Sequence, residues 1–376
     1  MNIHITNDDL FINRAVELFE TYYPGENLFF VISRKLFRSR LKYVENGEVI
    51  EPVAIGRPDH VRKIKRKVKD GDRLFIHYLS TYNAPIALSA LKRVKVETYW
   101  IFFGSDLYGL LHEKGMYPLL DGGGDKTSRK SIIRRIKNGL LTLYFRTNIQ
   151  TSRERFIQQL DHFCFWNHHD YNLLKSSFST RADHRSFKYF ANGLVDQEVT
   201  AEPKKPGRII LNHSASKFGN HETVIEYLSE LDSEKKLQMV ITPLSYGSGK
   251  IRKRILQLGQ SCLPHCFYPI TEFLPSETYF SMLSQATAAI FGHKRQEGSG
   301  NVFRLLAMGI KVFLRKDNNL LQYLREKGYH IFCYEQDLHS LSDLNQLDEK
   351  KQEYNRKLVY QEFSYEEMNR IFHSLI

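Results

Sequence analysis

The chain has 376 residues, of which 42% are hydrophobic, including 25 Phe and 21 Tyr. This length predicts two domains of similar size, and the apolar content excludes a disordered chain. The net charge of +12 is uneven, because residues 1–205 carry 33 Lys and Arg against 23 Asp and Glu while the remainder carries 21 against 19. The first half is therefore expected to face a negatively charged partner, such as a membrane, a nucleic acid or a phosphorylated acceptor.

The four cysteines, at positions 164, 262, 266 and 333, are too few and too scattered for a disulfide framework. Met1 is followed by a polar, strand-like segment, so no cleavable signal is expected. The apolar stretches, such as GLLTLYF at 139–145, are far shorter than the roughly 20 residues that span a bilayer. Any membrane contact is expected to be peripheral.

The first half alternates strands and helices. Apolar runs predict strands at 2–6, 28–33, 73–78, 96–104 and 161–167; helical spacing predicts helices around 15–19 and over 83–94, and the basic run 61–70 predicts a helix or a solvated edge. This alternation predicts a parallel sheet with helices on both faces, whose ligands gather beyond the carboxyl ends of the strands. That rule selects Asp8, His77, Asn83 and the segment 104–108, which contains Asp106.

Residues 125–146 predict a basic amphipathic helix. Apolar side chains recur at four-residue steps at 132, 136, 140 and 144, and six Lys and Arg residues lie at 126, 129, 130, 134, 135 and 137. Such a helix can lie on anionic lipid, at about 1 kcal/mol per nearby cation. A packed helix with a solvated basic side is the open alternative.

After the strand at 161–167 come His168, His169 and Asp170. Adjacent histidines can bind zinc, but a polar lining of the cleft or satisfied core histidines are the favoured interpretations.

A polar, proline-bearing joint at 201–207 predicts the domain boundary. The second half then repeats the alternation, with strands predicted within 207–216, 236–245, 265–270, 287–292 and 311–315 and helices within 222–231, 250–260 and 277–285. A last helix is predicted near 365–375. The fold class is therefore α/β, with two Rossmann-like domains facing across a cleft.

The segment Gly292 to Asn301, GHKRQEGSGN, links a strand to a helix. Free N–H groups at a helix start favour an anion, and glycines let the backbone approach it. Arg295 can add a bidentate contact to phosphate. An ordinary glycine-rich turn is the open alternative.

The segment 211–222, LNHSASKFGNHE, follows the first strand of the second half. Its Asn212, Ser214, Asn220 and His221 offer donors and acceptors for a base, a ribose or a diphosphate. A capped turn, with Asn220 or a neighbour capping the next helix, is the alternative.

The carboxylates predict a site without a metal. The Asp70-Gly71-Asp72 pattern precedes its strand, away from the expected cleft, and is interpreted as a turn. Arg295 and backbone N–H groups are expected to neutralise a leaving diphosphate. Asp8, just after the first strand, and Asp106 are rival candidates for a general base.

Five segments together resemble the TDP-N-acetylfucosamine:lipid II N-acetylfucosaminyltransferases. They are NDDLFINR (7–14), YWIFFGSDLY (99–108), ILNHSASKFGNHE (210–222), ITPLSYGSGKI (241–251) and FGHKRQEGSGNVFRLLAMGIKVFLR (291–315). The last is the most specific, because Arg295, Gln296, Gly298 and Gly300 match the family's Arg-Gln pair and spaced glycines. Two departures lie near the donor: Asn-His-Ser at 212–214 replaces Gly-Asn-Ser, and Asn301 occupies a variable position.

The resemblance implies a GT-B glycosyltransferase. The expected domains are 1–203 for the acceptor and the membrane, 206–355 for the donor, and a C-terminal helix, 356–376, packing back toward the first domain. The donor side comprises Asn212, Ser214, Asn220, His221, Tyr246, Arg295, Gln296, Gly298, Gly300 and Asn301; the acceptor-side candidates are His77, Asn83, His169 and Asp170.

The activity implied is transfer of a (4-acetamido-4,6-dideoxy)hexose from a dTDP-sugar to an undecaprenyl-diphosphate-linked oligosaccharide, on the cytoplasmic face of the bacterial inner membrane. The expected reaction is inverting and needs neither a metal nor another cofactor. Asp8 and Asp106 both match aspartates of the family, so the choice of base stays open.

Two other functions remain open. One is a membrane or nucleic-acid binder without catalysis, although the cations do not surround a known nucleic-acid reader motif. The other is a GT-B protein with different nucleotide-sugar chemistry, such as epimerisation.

Overall fold

In the computed structural model of this chain, the described residues are 1–123, 132–189 and 203–376, with only the backbone described for 132–137. They form two compact units. The first contains residues 1–116, 132–189 and 369–376, and the second contains 117–123 and 203–368. Among the described residues, no helix is both long and apolar enough to cross a membrane.

The first unit is built on a seven-stranded parallel sheet. Its strands are β1 (Asn2–Asn7), β2 (Asn27–Ile32), β3 (Ile50–Val53), β4 (Arg73–His77), β5 (Glu97–Ile101), β6 (His162–Cys164) and β7 (Asp183–Arg185), in the spatial order β3-β2-β1-β4-β5-β6-β7. Its helices are α1 (Phe11–Tyr22), α2 (Pro58–Lys67), α3 (Asn83–Leu91), α4 (Ser105–Glu113), α5 (Ile132–Phe145), α6 (Ser152–Gln159) and α7 (His168–Ser177).

The core of the first unit is aromatic. The His4 ring on β1 stacks on Phe29 of β2, with 3.9 Å between ring centroids, and on Phe75 of β4 at 4.8 Å. Phe19 of α1 packs edge-on against His4. Near the C-terminus, the Phe372 ring stacks on Tyr22 of α1 at 4.3 Å. These contacts couple helix α1 and the C-terminal residues to the centre of the sheet.

The second unit has a six-stranded parallel sheet. Its strands are β8 (Arg208–Leu211), β9 (Met239–Pro243), β10 (Phe267–Ile270), β11 (Ala288–Phe291), β12 (Lys311–Leu314) and β13 (Phe332–Cys333), in the order β10-β9-β8-β11-β12-β13. Its helices are α8 (His221–Leu231), α9 (Gly249–Cys262), α10 (Ser276–Ser284), α11 (Ser299–Ala307), α12 (Asn319–Glu326), α13 (Tyr334–Asp337) and α14 (Glu349–Glu362), and α15 (Tyr365–His373) ends in the first unit.

Each sheet has one topological switch point. In the first unit it lies between β1 and β4, and in the second between β8 and β11, where the strand order reverses direction. Loops that leave the carboxyl ends of these strands diverge to opposite faces of the sheet and open a crevice. The fold therefore places one candidate ligand site in each unit.

The predicted parallel α/β sheets are confirmed. Every strand predicted from an apolar run is present, and the basic run 61–70 falls largely in helix α2. Strands β3, β7 and β13 were not predicted, because each has at most four residues and too little apolar pattern. The basic half of the helix predicted at 125–146 lies outside the described side chains, and positions 201–202 of the predicted joint also lie outside the described residues.

Candidate functional site

The site in the second unit forms where the loop after β8, residues 212–220, meets the loop after β11, residues 292–298. The Asn212 side chain joins them: its Oδ1 accepts a hydrogen bond from the Gly292 N–H at 2.8 Å, and its Nδ2 donates to the Gly219 carbonyl at 2.9 Å. Gly292 must be a glycine, because an added Cβ would lie 2.4 Å from the Gly219 oxygen. The two backbones are thus in direct contact.

Asn220 supplies a second link between these loops. It is nearly buried and has a left-handed backbone, with φ of 46°. Its Nδ2 donates to the carbonyls of Gly292 at 2.9 Å and Leu119 at 3.1 Å, and its Oδ1 accepts from the Asp121 N–H at 3.0 Å. These contacts position loops, and the residue makes no side-chain cap on helix α8.

Asn318 and Tyr117 fix the backbone of the loop after β11 from other directions. Asn318 Nδ2 donates to the carbonyls of His293 at 3.0 Å and Arg295 at 2.9 Å. The Tyr117 hydroxyl donates to the Lys294 carbonyl at 2.7 Å. Because its carbonyls are held in this way, the loop presents its side chains from a fixed frame.

Asp121 neutralises two cations beside the loop. Its carboxylate accepts from Arg315 at 2.7 and 3.0 Å and pairs with Lys294 at 3.0 Å. Burial raises the pKa of Asp121, but the hydrogen bonds from Arg315 and Lys294 outweigh burial and hold the pKa at about 2. Lys294 is therefore committed to an internal pair.

Arg295 lies within the site and is nearly buried. Its Nη2 lies 2.5 Å from Glu297 Oε2, and its Nε has no hydrogen-bond partner among the described residues. Burial raises the pKa of Glu297, but His293, Arg295, His213 and a hydrogen bond from Ser216 together hold it at about 2. The guanidinium thus keeps one donor available for a ligand.

Helix α11 begins at this loop. Its N-cap, Gly298, has a left-handed backbone with φ of 68°, and an added Cβ would lie 2.7 Å from the His213 ring. Only glycine fits both the conformation and the space. The first N–H groups of the helix, including that of Gly300, lack intrahelical acceptors and favour an anion at this end.

Three histidines surround the same position. His213 follows β8, His293 follows β11, and His221 begins α8. The His213 and His293 rings lie 5.1 Å apart. Burial lowers the pKa of all three, to about 3 for His221 and His293. His221 was selected from the sequence, whereas His213, His293 and Glu297 were not.

The other predicted donor-side residues have different environments. Gln296 and Ser214 are buried in the two loops, and Asn301 lies in the first turn of α11, where its N–H donates to the Gly298 carbonyl. Tyr246, in the loop after β9, is 70% exposed. Its carbonyl accepts from the Ala215 N–H at 2.8 Å, which joins that loop to the site.

Two clusters in this unit have the composition of metal sites. The ligand atoms of His213, His293 and Glu297 lie within 4.8 Å of one another. Those of Asp232, His265 and Cys266 do so elsewhere, where His265 Nε2 lies 2.9 Å from Asp232 Oδ2. In the first cluster, Arg295 already pairs with the carboxylate, which disfavours a cation there.

The first unit has a pocket of about 400 Å³ at its own switch point. Its lining includes Asp8, Asp9, Ser33, Arg34, Leu36, Tyr78, Tyr82 and Phe103. Asp8 Oδ1 accepts from the N–H groups of Tyr43 at 2.9 Å and Val44 at 3.0 Å, and Oδ2 accepts from Lys42 at 2.7 Å. Asp8 thus anchors the loop that covers one side of the pocket.

Asp106 and Asn83 do not line this pocket but hold the turn that carries one of its lining residues, Tyr78. Asp106 Oδ2 accepts from the Leu79 N–H at 3.0 Å and from Trp100 Nε1 at 2.7 Å, and burial raises the pKa of its carboxyl group. Asn83 Nδ2 donates to the Tyr78 carbonyl at 2.9 Å. Between them Tyr78 adopts φ of 65°, an uncommon conformation for a residue other than glycine. Both side chains therefore hold a strained turn that places Tyr78 in the pocket.

The remaining acceptor-side candidates lie inside the first unit. His77 is fully buried: its Nε2 lies 2.9 Å from His4 Nδ1, and burial lowers its pKa to about 3. Asp170 accepts from the Tyr108 hydroxyl at 2.5 Å. The backbone N–H of His169 donates to Asn167 Oδ1 at 3.0 Å. None of these three residues lines the pocket beside Asp8.

No family model matches the chain, and no curated protein matches it. Solved structures do. They include the sucrose-phosphate synthase of Thermosynechococcus elongatus (TM-score 0.64, 9% identity, covering 100% of this chain and 98% of that one). An α,α-trehalose-phosphate synthase (UDP-forming) of Burkholderia vietnamiensis has a TM-score of 0.59 at 6% identity, covering 99% and 98%. A glycosyltransferase of Rickettsia africae has 0.56 at 10%, covering 98% and 96%. The chain therefore has the GT-B fold.

We expect Asp121→Asn to destabilise the protein by about 2–3 kcal/mol at neutral pH, because Arg315 and Lys294 would be left nearly buried without their carboxylate partner. A lowered pKa gives stability that is present above the unfolded-state value, near 3.9, and is lost as the pH falls through about 2. The difference from the wild type should therefore narrow below about pH 4. Urea unfolding over a pH series measures it.

The control is Glu349→Gln, at an exposed position in the first turn of α14. It should change the free energy of unfolding by less than about 0.5 kcal/mol. A constant difference between Asp121→Asn and the wild type at every pH would contradict the role assigned to the Asp121 carboxylate.

Proposed function

We propose that this chain is a glycosyltransferase that uses a nucleotide-sugar donor. The observation that carries the proposal is the anion site of the second unit, where Arg295 and the start of α11 converge at the switch point of the sheet. A nucleoside diphosphate is the ligand class that fits a Rossmann-like crevice with these features. The GT-B fold, shared with sugar-phosphate synthases, supports the same class.

The finer proposal rests on the sequence resemblance. The donor is a dTDP-linked (4-acetamido-4,6-dideoxy)hexose or a related nucleotide sugar, and the acceptor is an undecaprenyl-diphosphate-linked oligosaccharide of surface polysaccharide synthesis. Negative charge develops on the diphosphate as the bond to the sugar breaks. Arg295 and the α11 N–H groups stabilise that charge without a metal ion.

The acceptor hydroxyl is assigned to the pocket of the first unit. In an inverting reaction, a base removes the hydroxyl proton while the oxygen attacks the anomeric carbon and the diphosphate leaves. A carboxylate offers about four lone-pair positions, and the three backbone N–H groups leave one on Asp8 Oδ2. Asp8 lines the pocket and Asp106 does not, so Asp8 is the preferred base.

We assign the membrane-facing surface to residues 34–42, which we call the basic loop. It contains five cations, Arg34, Lys35, Arg38, Arg40 and Lys42, and no acidic residue. At its tip Phe37 is 68% exposed. On helix α5, Leu140 and Leu143 are 64% and 76% exposed. Exposed apolar side chains flanked by cations suit an anionic lipid surface, which supports a peripheral location at the inner membrane.

Arg295→Ala should raise the Kd for dTDP and UDP about 10- to 100-fold, because a charge-assisted hydrogen bond contributes about 1.5–3 kcal/mol. Isothermal titration calorimetry measures the change. Arg325→Ala is the matched control, since that arginine is 44% exposed and pairs with Asp337 on the surface. Equal Kd values for Arg295→Ala and the wild type would show that Arg295 does not contact the nucleotide.

Asp8→Asn should reduce sugar transfer about 10²- to 10⁴-fold while donor binding persists. The amide would also turn an N–H group toward backbone donors, so stability should fall by about 1–3 kcal/mol. Release of nucleotide in the presence of a lipid-linked acceptor measures transfer, and urea unfolding measures stability.

Asn13→Ala separates the two effects of Asp8. Asn13 tethers the same loop, through the Tyr43 carbonyl at 2.9 Å and the Glu45 N–H at 3.0 Å, without contributing a carboxylate. If Asn13→Ala lowered transfer as much as Asp8→Asn, loop anchoring would explain both results and the base would lie elsewhere.

Phe37→Ser should lower partitioning onto vesicles of phosphatidylglycerol and phosphatidylcholine at least tenfold, because burial of a phenylalanine contributes about 1.5–3 kcal/mol. Vesicle sedimentation measures partitioning. The control is Phe273→Ser, in the second unit, where the side chain is 79% exposed. Equal partitioning of both variants and the wild type would exclude the basic loop as the membrane contact.

A further inference from the structure

The donor site contains buried histidine nitrogens that make no hydrogen bond. His213 Nδ1, His221 Nε2 and both ring nitrogens of His293 make no hydrogen bond among the described residues, and Glu297 Oε1 lies 3.6 Å from His293 Nε2, beyond hydrogen-bonding distance. His293 is fully buried, and His221 is 3% exposed. Buried polar atoms are almost always paired in folded proteins, so unpaired ones usually mark a site that a ligand, ion or water completes. Four such atoms in one site require an explanation.

The fold holds these rings in place. A Cβ at Gly298 would lie 2.7 Å from the His213 ring, and a Cβ at Gly219 would lie 2.4 Å from the His221 ring. The His213 ring lies beside the His293 ring in a tilted arrangement, with 5.1 Å between ring centroids. The His213 and His221 rings are therefore packed closely against the backbone of Gly298 and Gly219.

The charged groups around the rings favour an anion. Glu297 acts electrostatically on all three histidines and Arg295 on His213 and His293, and Arg295 and Glu297 pair with each other. Lys294 is paired with Asp121, Glu222 with Arg254, and Lys217 is exposed. Helix α11 has no acidic residue in its first turn, and Glu297 just before it is paired with Arg295, so the partial positive charge of the helix N-terminus favours an anion. A cation would have to displace Arg295 from its carboxylate.

We propose that His213, His221 and His293 are ligands of the donor diphosphate, and that the diphosphate binds together with at least one proton taken up by these rings. This inference rests on the proposed function, because it assigns the regulation of the same donor site. It adds three residues that contact the leaving group and makes donor binding depend on pH.

The direction in which nucleotide affinity changes with pH follows from the burial of the histidine rings. Burial holds the pKa of His221 and His293 at about 3, so these rings are neutral above about pH 4. A neutral ring offers one N–H donor and one lone pair, and the lone pair repels a phosphate oxygen. A bound anion raises the pKa of the rings and converts the lone pair into a donor. Binding should therefore strengthen as the pH falls.

The test uses a nucleotide sugar, such as dTDP-glucose or UDP-glucose, because its diphosphate has no phosphate group titrating near neutral pH. Calorimetry of the full-length chain in two buffers of different ionisation enthalpy counts the protons taken up. We expect about one proton per ligand and an affinity that falls up to tenfold per pH unit between about pH 6 and 8.

His213→Gln and His293→Asn should weaken binding and reduce the proton uptake. His213 is partly exposed, so His213→Gln serves if the His293 variant fails to fold. The matched control is His265→Gln, since His265 pairs with Asp232 outside the site. It should bind the ligand with the affinity and proton uptake of the wild type.

Three outcomes would overturn the inference. Binding without proton uptake and with a flat pH profile would overturn it and leave the proposed function intact. Absence of nucleotide binding in every buffer would overturn both. Tight Zn²⁺ binding to the wild type, lost in His213→Gln, together with pH-independent nucleotide binding would show that His213, His293 and Glu297 form a metal site instead.

Discussion

The candidate donor site depends on the contact between two loops at Gly292. Asn212 accepts from its N–H, Asn220 donates to its carbonyl, and the absence of a side chain lets the Gly219 carbonyl approach. The two asparagines adopt left-handed backbones, with φ of 57° and 46°, which this residue type tolerates. This contact fixes the start of the β11 loop, and Asn318 and Tyr117 hold the carbonyls of the residues that follow, including Arg295.

In the first unit, the loops beyond the switch-point strands are held by carboxylates and an amide. Asp8 fixes the loop at 42–44, while Asp106 and Asn83 fix the turn at 77–79. In both units, polar side chains just beyond the switch-point strands are used first to hold loops. The proposed reaction then uses the lone pairs and N–H groups that these bonds leave over, such as the second lone pair of Asp8 Oδ2 and the N–H of Arg295 Nε.

Charge divides the proposed work between the units. In the second unit the extra cations, Lys294 and Arg315, are neutralised by Asp121, so the proposed ligand contacts are left to Arg295, the histidines and the helix start. In the first unit, the cations of the basic loop are exposed beside apolar side chains. A focused site suits a small diphosphate, whereas a dispersed basic surface suits an anionic membrane.

The sequence by itself determined the parallel α/β architecture of both units. Runs such as 73–78 and 287–292 indicate strands that are buried on both faces. The glycines of 292–300 indicate a loop that leads into a helix, and an anion at the start of that helix stays a prediction. Arg295, Asn212 and Asn220 could also be selected from the sequence, because each lies just beyond a predicted strand. The periodicity of apolar residues reflects local burial, so it can be recognised in the sequence without knowing which residues meet in the folded protein.

Only the tertiary structure decided which residues meet. His213 and His293 are far apart in the chain and become neighbours because β8 pairs with β11. Asp121 meets Arg315 across an even longer separation. The short strands β3, β7 and β13 form at sheet edges, where β3 and β13 pair with longer strands and β7 pairs with the three-residue β6. Strand order and side-chain pairing arise from long-range packing, which no local pattern of residues encodes.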